Sequence, residues 1–221
     1  MKSRQTGFTL VEIAIVLVII GLLLGGVLKG QELITQAKIK NIANDFNQIT
    51  AAVYGYQDRY RKLPGDDNGA ESRWPTKTKN GNGSGTIDGE FYTNSDVDGV
   101  EPRLFWQHLR LAGFIIGDPT SRAQPINAVG GIIGAQTGVG PDTALELPGP
   151  VLCSTNLPGK FAIAVDNMFD DGNPHSGSVR GFKQSGSLVA QGTGNDSPVN
   201  KASETSYVED DVILYTVCRQ L

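Results

Sequence analysis

An unbroken apolar run from Phe8 to Leu28 stands behind only seven residues, two of which, Lys2 and Arg4, are basic. In a helix, at about 1.5 Å per residue, such a run is long enough to span a bilayer core. It carries one charge, Glu12. A carboxylate at that depth costs about 3 kcal/mol on insertion scales, so it requires a partner. An ordinary secretory signal is cut after its apolar core, at an A-x-A-like site. Here the small residue, Gly7, precedes the core and no such site follows. A cut after Gly7 therefore leaves the apolar helix on the mature protein. The basic residues ahead of the run place the leader, residues 1–7, in the cytoplasm and the chain beyond the helix outside.

The helix does not end with the apolar run. No proline occurs before Pro64, and Ile42, Phe46, Ile49, Val53, Tyr56 and Tyr60 step by three and four. That seam holds one helix face against a partner surface. The spacing predicts a membrane helix over 8–28, an amphipathic continuation over 29–63, and a stop at Leu63-Pro64-Gly65. A helix of that length runs to about 80 Å, more than one small domain covers, so its first half is expected to protrude and bind elsewhere. Gly21-x-x-x-Gly25 and Gly26-x-x-x-Gly30 permit close helix approach there.

Residues 64–221 are expected to form one β-rich domain. With 28 glycines and 11 prolines the chain is rich in turns, and a net charge of −4 argues against a broadly basic nucleic-acid surface. Glu101 to Gly113 reads as a short helix, with Pro102 in its first turn and Gly113 at its stop. Gly117 to Pro150 reads as a variable surface insert containing a short strand at Ile132-Ile133. Lys160 to Val165, Val179 to Lys183, Ser187 to Ala190 and Val212 to Cys218 fit short strands, and residues 191–206 an exposed loop. The fold class is α+β: a helical spine whose outer half packs on an antiparallel sheet.

Chemistry-bearing motifs are sparse. There is no G-x-S-x-G, H-E-x-x-H or phosphate-loop pattern, and His108 and His175 fall in unrelated contexts, so no catalytic site is expected. Asn80, Asn82, Ser84 and Asp88 place oxygen side chains at positions one, three, five and nine of an EF-hand-like count, with glycine at six. They form either a plain Gly/Asn turn cluster or a candidate calcium loop, and no other cofactor is expected. For a cation its defect is position twelve, Phe91 rather than glutamate; Asp66, Asp67, Asp96 or Asp98 could supply the missing charge. Between the strands at 160–165 and 179–183, Asp170, Asp171 and Asn173 are candidates for turn caps, a cation site or pairing with Arg180.

The basic leader, Gly7, the hexapeptide Gly7-Phe8-Thr9-Leu10-Val11-Glu12 and the long apolar helix resemble the signature of the type IV pilin superfamily, which includes pilus subunits and the pseudopilins of type II secretion. The close likeness covers residues 1–63. It implies a pilin-like fold, cleavage between Gly7 and Phe8 by a prepilin peptidase, and N-methylation of Phe8. It also implies pairing of Glu12 with the N-terminal amine of a neighbouring subunit. Expected partners are copies of itself and other pilin-like subunits, the peptidase/methyltransferase, an inner-membrane assembly platform, and membrane lipid before assembly; nucleic acid is not expected. The resemblance leaves open a pilus subunit, a type II secretion pseudopilin, or an adhesive or DNA-binding minor subunit. In each case the domain lies first in the periplasm and then on a filament. Cys153 and Cys218 lie in that disulfide-permissive compartment. Either they remain free thiols or they form a bridge closing a loop of about 65 residues, which contributes roughly 4 kcal/mol and resembles the C-terminal staple of pilins.

Overall fold

The computed structural model describes residues 9–92, 99–138, 147–184 and 206–221. The chain divides into two compact units, Met1–Lys38 and Ile39–Leu221. Helix α1, Leu10–Tyr60, is continuous through both. In the first unit every residue from Thr9 to Lys29 is exposed, although nearly all are apolar. Positions Gly21, Gly25, Gly26 and Gly30 face open space.

The second unit contains the rest of α1 and the elements α2 (Ala70–Arg73), α3 (Glu101–Leu111), β1 (Ile133–Gly138), β2 (Gly149–Pro158), α4 (Gly159–Phe169), β3 (Val179–Lys183) and β4 (Leu214–Gln220). Among the described residues its four strands form an antiparallel sheet in the order β1-β2-β4-β3. Alternation along each strand divides the sheet into two faces. Ala135, Leu152, Val179 and Val217 point to one face and join Ile42, Phe46, Ile49, Val53 and Tyr56 of α1 in the main core. Each large apolar side chain buried there contributes about 1.5–3 kcal/mol. The expected seam is therefore the face that α1 buries. Phe105, Trp106 and Leu109 of α3 enter the same core, as do Phe161, Ala162 and Val165 of α4.

The opposite face builds a smaller core from Val151, Cys153, Phe182 and Cys218, covered by Phe91, Ile132 and Leu147. Gly134 is required here, because a Cβ would stand 2.2 Å from the Phe91 ring. Cys153 and Cys218 are direct cross-strand partners and form a disulfide. Neither edge strand is left bare. Ile133 N–H and Thr137 N–H of β1 donate to Pro125 O and Ile87 O, and Gly181 N–H of β3 donates to Pro174 O. Such covering suppresses edge-to-edge association.

Several expectations need correction. The stretch Lys160 to Val165 is not a strand but the first part of α4. Its apolar run continues to Phe169, and Phe161, Ala162 and Val165 are buried with the helical period, while two alanines favour helix. The region from Gly117 to Pro150 is not wholly a surface insert: Ile132, Ile133, Ala135 and Gln136 are buried. Strand β2 begins at Gly149 within that region. Helix α1 stops at Tyr60, before Pro64, because Arg61 takes a left-handed φ of 56°. The last strand begins two residues later than expected, at Leu214. The expected strand at Ser187 to Ala190 and most of the loop at 191–206 lie outside the described residues.

Candidate functional site

The N-terminal end of α1 is organised by Thr9 and Glu12. Thr9 N–H and Thr9 Oγ1 both donate to Glu12 Oε2, each at 2.8 Å, and Glu12 N–H donates to Thr9 Oγ1 at 3.3 Å. This reciprocal arrangement is a capping box. It satisfies donors that the first helical turn leaves open and places a negative charge at the positive end of the helix dipole. Thr9-x-x-Glu12 is the sequence signature of such a box; reading Glu12 only as an interchain partner misses it. Gly7 and Phe8 lie just before the described residues. Farther along the helix, Lys29 and Glu32 form an ion pair at 2.7 Å where the apolar run gives way to polar sequence.

Of the four oxygen-bearing residues in the candidate calcium loop, the structure brings three together. Asn82 Nδ2 donates to Asp88 Oδ2 at 2.7 Å and Ser84 Oγ donates to the same oxygen at 3.4 Å. Asn80 is directed elsewhere, its Oδ1 accepting Glu71 N–H at 2.8 Å. Asp66 does reach the loop, but its two oxygens accept Ser84 N–H and Gly85 N–H at 2.8 Å each. Asp67 turns inward, accepting Tyr56 O–H at 2.6 Å and pairing with Arg73. Asp96 and Asp98 lie outside the described residues. The loop is thus wrapped on buried carboxylates through its own backbone. Glu101 contributes in the same way, accepting Asn82 N–H and Asp88 N–H. Burial pushes its carboxyl upward, against those two hydrogen bonds.

His108 belongs to this framework. Gly65 N–H donates to its Nδ1 at 3.0 Å, so Nε2 carries the proton and donates to Lys79 O at 3.0 Å. The neutral ring fastens both ends of the 65–79 segment to α3. Burial pulls its pKa down to about 4. In the unfolded chain the group titrates near 6.5, so between about pH 6.5 and 4 the unfolded state binds the extra proton. Its contribution to stability is full above that window and declines as pH falls through it, by about 3 kcal/mol in all. Denaturant midpoints of the detergent-solubilised full chain from pH 7.5 to 4.5 should therefore fall less steeply for His108→Gln than for wild type. Parallel profiles would show that His108 does not set the acid limb.

Asp166, Asp170 and Asp171 bring carboxylate oxygens within 4.8 Å of one another. Each is held by its own chain. Asp166 accepts Tyr207 O–H at 2.6 Å, Asp170 accepts Val179 N–H at 3.0 Å, and Asp171 accepts Asn173 N–H at 2.9 Å. Arg180 donates to the carbonyls of Ser176, Gly177 and Val179 rather than to a carboxylate. The turn caps of this loop are thus in place, beside three carboxylates close enough to share a cation.

The family profile of the prokaryotic N-terminal methylation motif matches residues 2–28. Comparisons with curated proteins and with solved structures gave no significant match. The matched segment contains Thr9, Glu12 and the exposed apolar part of α1, and the long helix with its four-stranded antiparallel sheet has a pilin-like α+β layout. The chain thus carries the signature of the type IV pilins and pseudopilins.

Proposed function

We propose that this chain is a structural subunit of a type IV pilus or pilus-like filament. In this reading it is inserted in the inner membrane by residues 8–28 with its domain in the periplasm. It is cleaved between Gly7 and Phe8, methylated at Phe8, and drawn into a helical assembly through α1. The observation that carries the proposal is a capped, fully exposed apolar helix coinciding with the methylation motif. That surface requires lipid before assembly and other apolar helices after it. The open glycine positions at 21, 25, 26 and 30 allow neighbouring helices to approach closely.

The test is the N-terminal sequence and intact mass of the protein recovered from sheared surface filaments. The expected species begins at N-methylated Phe8 and is two hydrogens lighter than its reduced form, for the Cys153–Cys218 bridge. A processed chain confined to the membrane and periplasm would favour a type II secretion pseudopilin. A chain still beginning at Met1 would overturn the filament reading.

A further inference from the structure

Asp45 stands apart from the other buried or half-buried carboxylates of the domain. Asp66, Asp67, Glu101 and Asp166 each accept at least two hydrogen bonds from their own chain. Asp45 is half-buried on α1 and has no donor among the described residues. Burial accordingly pushes its carboxyl above the usual carboxylate range. It sits in an open cleft of about 300 Å³ with Asn41, Asn44 and Gln48, whose amides are likewise unpartnered among the described residues. Positions 41, 44, 45 and 48 form one stripe of the helix. The facing wall is Ile126, 62 % exposed, with Ala128 beside it. That wall is rigidly set. Asn127 Nδ2 donates to Ser154 Oγ and Thr155 O, while its Oδ1 accepts Val129 N–H and Gly131 N–H.

We propose that this cleft receives a lysine side chain from a neighbouring copy of the same chain. The methylene stem lies against Ile126 and Ala128, and the ammonium donates to Asp45 and to the amide oxygens around it. An ammonium offers three donors and no acceptor, which matches a carboxylate ringed by amides. Its stem requires an apolar wall, which Ile126 provides. The choice of lysine follows from charge bookkeeping within the chain. Every described arginine has a partner of its own, for example Arg61 with Asp58, Arg73 with Asp67, and Arg219 with Asn47. The unpaired cations of the described domain are Lys40, Lys62, Lys77 and Lys160. A second copy therefore carries the complement that Asp45 lacks, and the contact gives the filament a specific interaction outside its apolar helices.

The inference rests on the filament reading, and its test separates the two. The full chain carrying Asp45→Asn is expressed in place of wild type, and sheared filaments are quantified alongside the processed membrane pool. Removing an unpaired, half-buried charge should leave the melting temperature in detergent equal or higher, whereas filament yield should fall at least about tenfold. Zero-length carbodiimide cross-linking of filaments assembled from mixed light- and heavy-isotope chains should give an Asp45–lysine peptide joining one light and one heavy half. Wild-type chain that still begins at Met1 and enters no filament would defeat both readings. Wild-type filaments with an Asp45→Asn variant that assembles equally well, or an Asp45 cross-link only within one chain, would overturn the lysine-cleft inference alone.

Discussion

A chain ending at Ile213 is expected to insert and be processed normally yet to have no folded domain. β4 is the last strand in sequence but lies between β2 and β3, which do not pair with each other. Its loss leaves β3 without a strand partner among the described residues and removes Tyr215, Val217 and Cys218 from the two cores. It also removes Arg219, which reaches back to Asn47 of α1 at 3.2 Å and lies over the Phe169 ring at 4.1 Å. At about 1.5–3 kcal/mol per buried side chain, before any hydrogen bonds are counted, the loss approaches the 5–15 kcal/mol that stabilises a typical domain. The expected readouts are no cooperative melt, rapid proteolysis after α1, and a Cys153 thiol open to alkylation. The double variant Cys153→Ser/Cys218→Ser is the control. It keeps the strand and gives up the restraint of a 65-residue separation, about 4 kcal/mol, and buries two serine hydroxyls, so it should still melt cooperatively, at lower temperature. A cooperative melt in the truncated chain would show that the sheet does not depend on β4.

The same topology explains what was legible in the sequence. The α1 seam was readable because Ile42, Phe46, Ile49, Val53 and Tyr56 repeat with the helical period and meet one continuous surface. The segment Lys160 to Val165 misled because Phe-Ala-Ile-Ala-Val alternates like a strand over five residues, and only the longer window to Phe169 shows the helix. Strand β2 was obscured by Pro150 and Pro158 at its ends and by an irregularity between Ser154 and Leu157, where Asn156 takes a φ of 58°. The roles of Asp66 and Glu101 were illegible for another reason: their donors are backbone N–H groups 13–19 residues away. No side-chain pattern records such partners. The capping box was the opposite case, local and readable at Thr9 and Glu12.

The cap seen here and the interchain pairing of the filament reading are separable jobs for Glu12, and substitution can tell them apart. Glu12→Ala removes both the cap and the charge, whereas Glu12→Gln retains a side chain that closes a capping box but carries no charge. Either change removes a carboxylate from an apolar run, which eases insertion by about 3 kcal/mol, so membrane targeting should persist. Both variants should also be cleaved after Gly7. If assembly places Glu12 among packed apolar helices opposite a neighbour's N-terminal amine, either substitution strands that amine without a counter-charge. Breaking one member of a buried pair costs about 3–5 kcal/mol. Repeated at every subunit contact, that penalty predicts almost no filaments from either variant, with processed chain accumulating in the membrane. The measurement is the ratio of sheared filament to membrane pool, with N-terminal sequencing of both fractions. If Glu12→Gln assembles like wild type while Glu12→Ala does not, the helix cap rather than the charge is what assembly uses. If both assemble normally, Glu12 has no part in it, and the amine finds its counter-charge elsewhere.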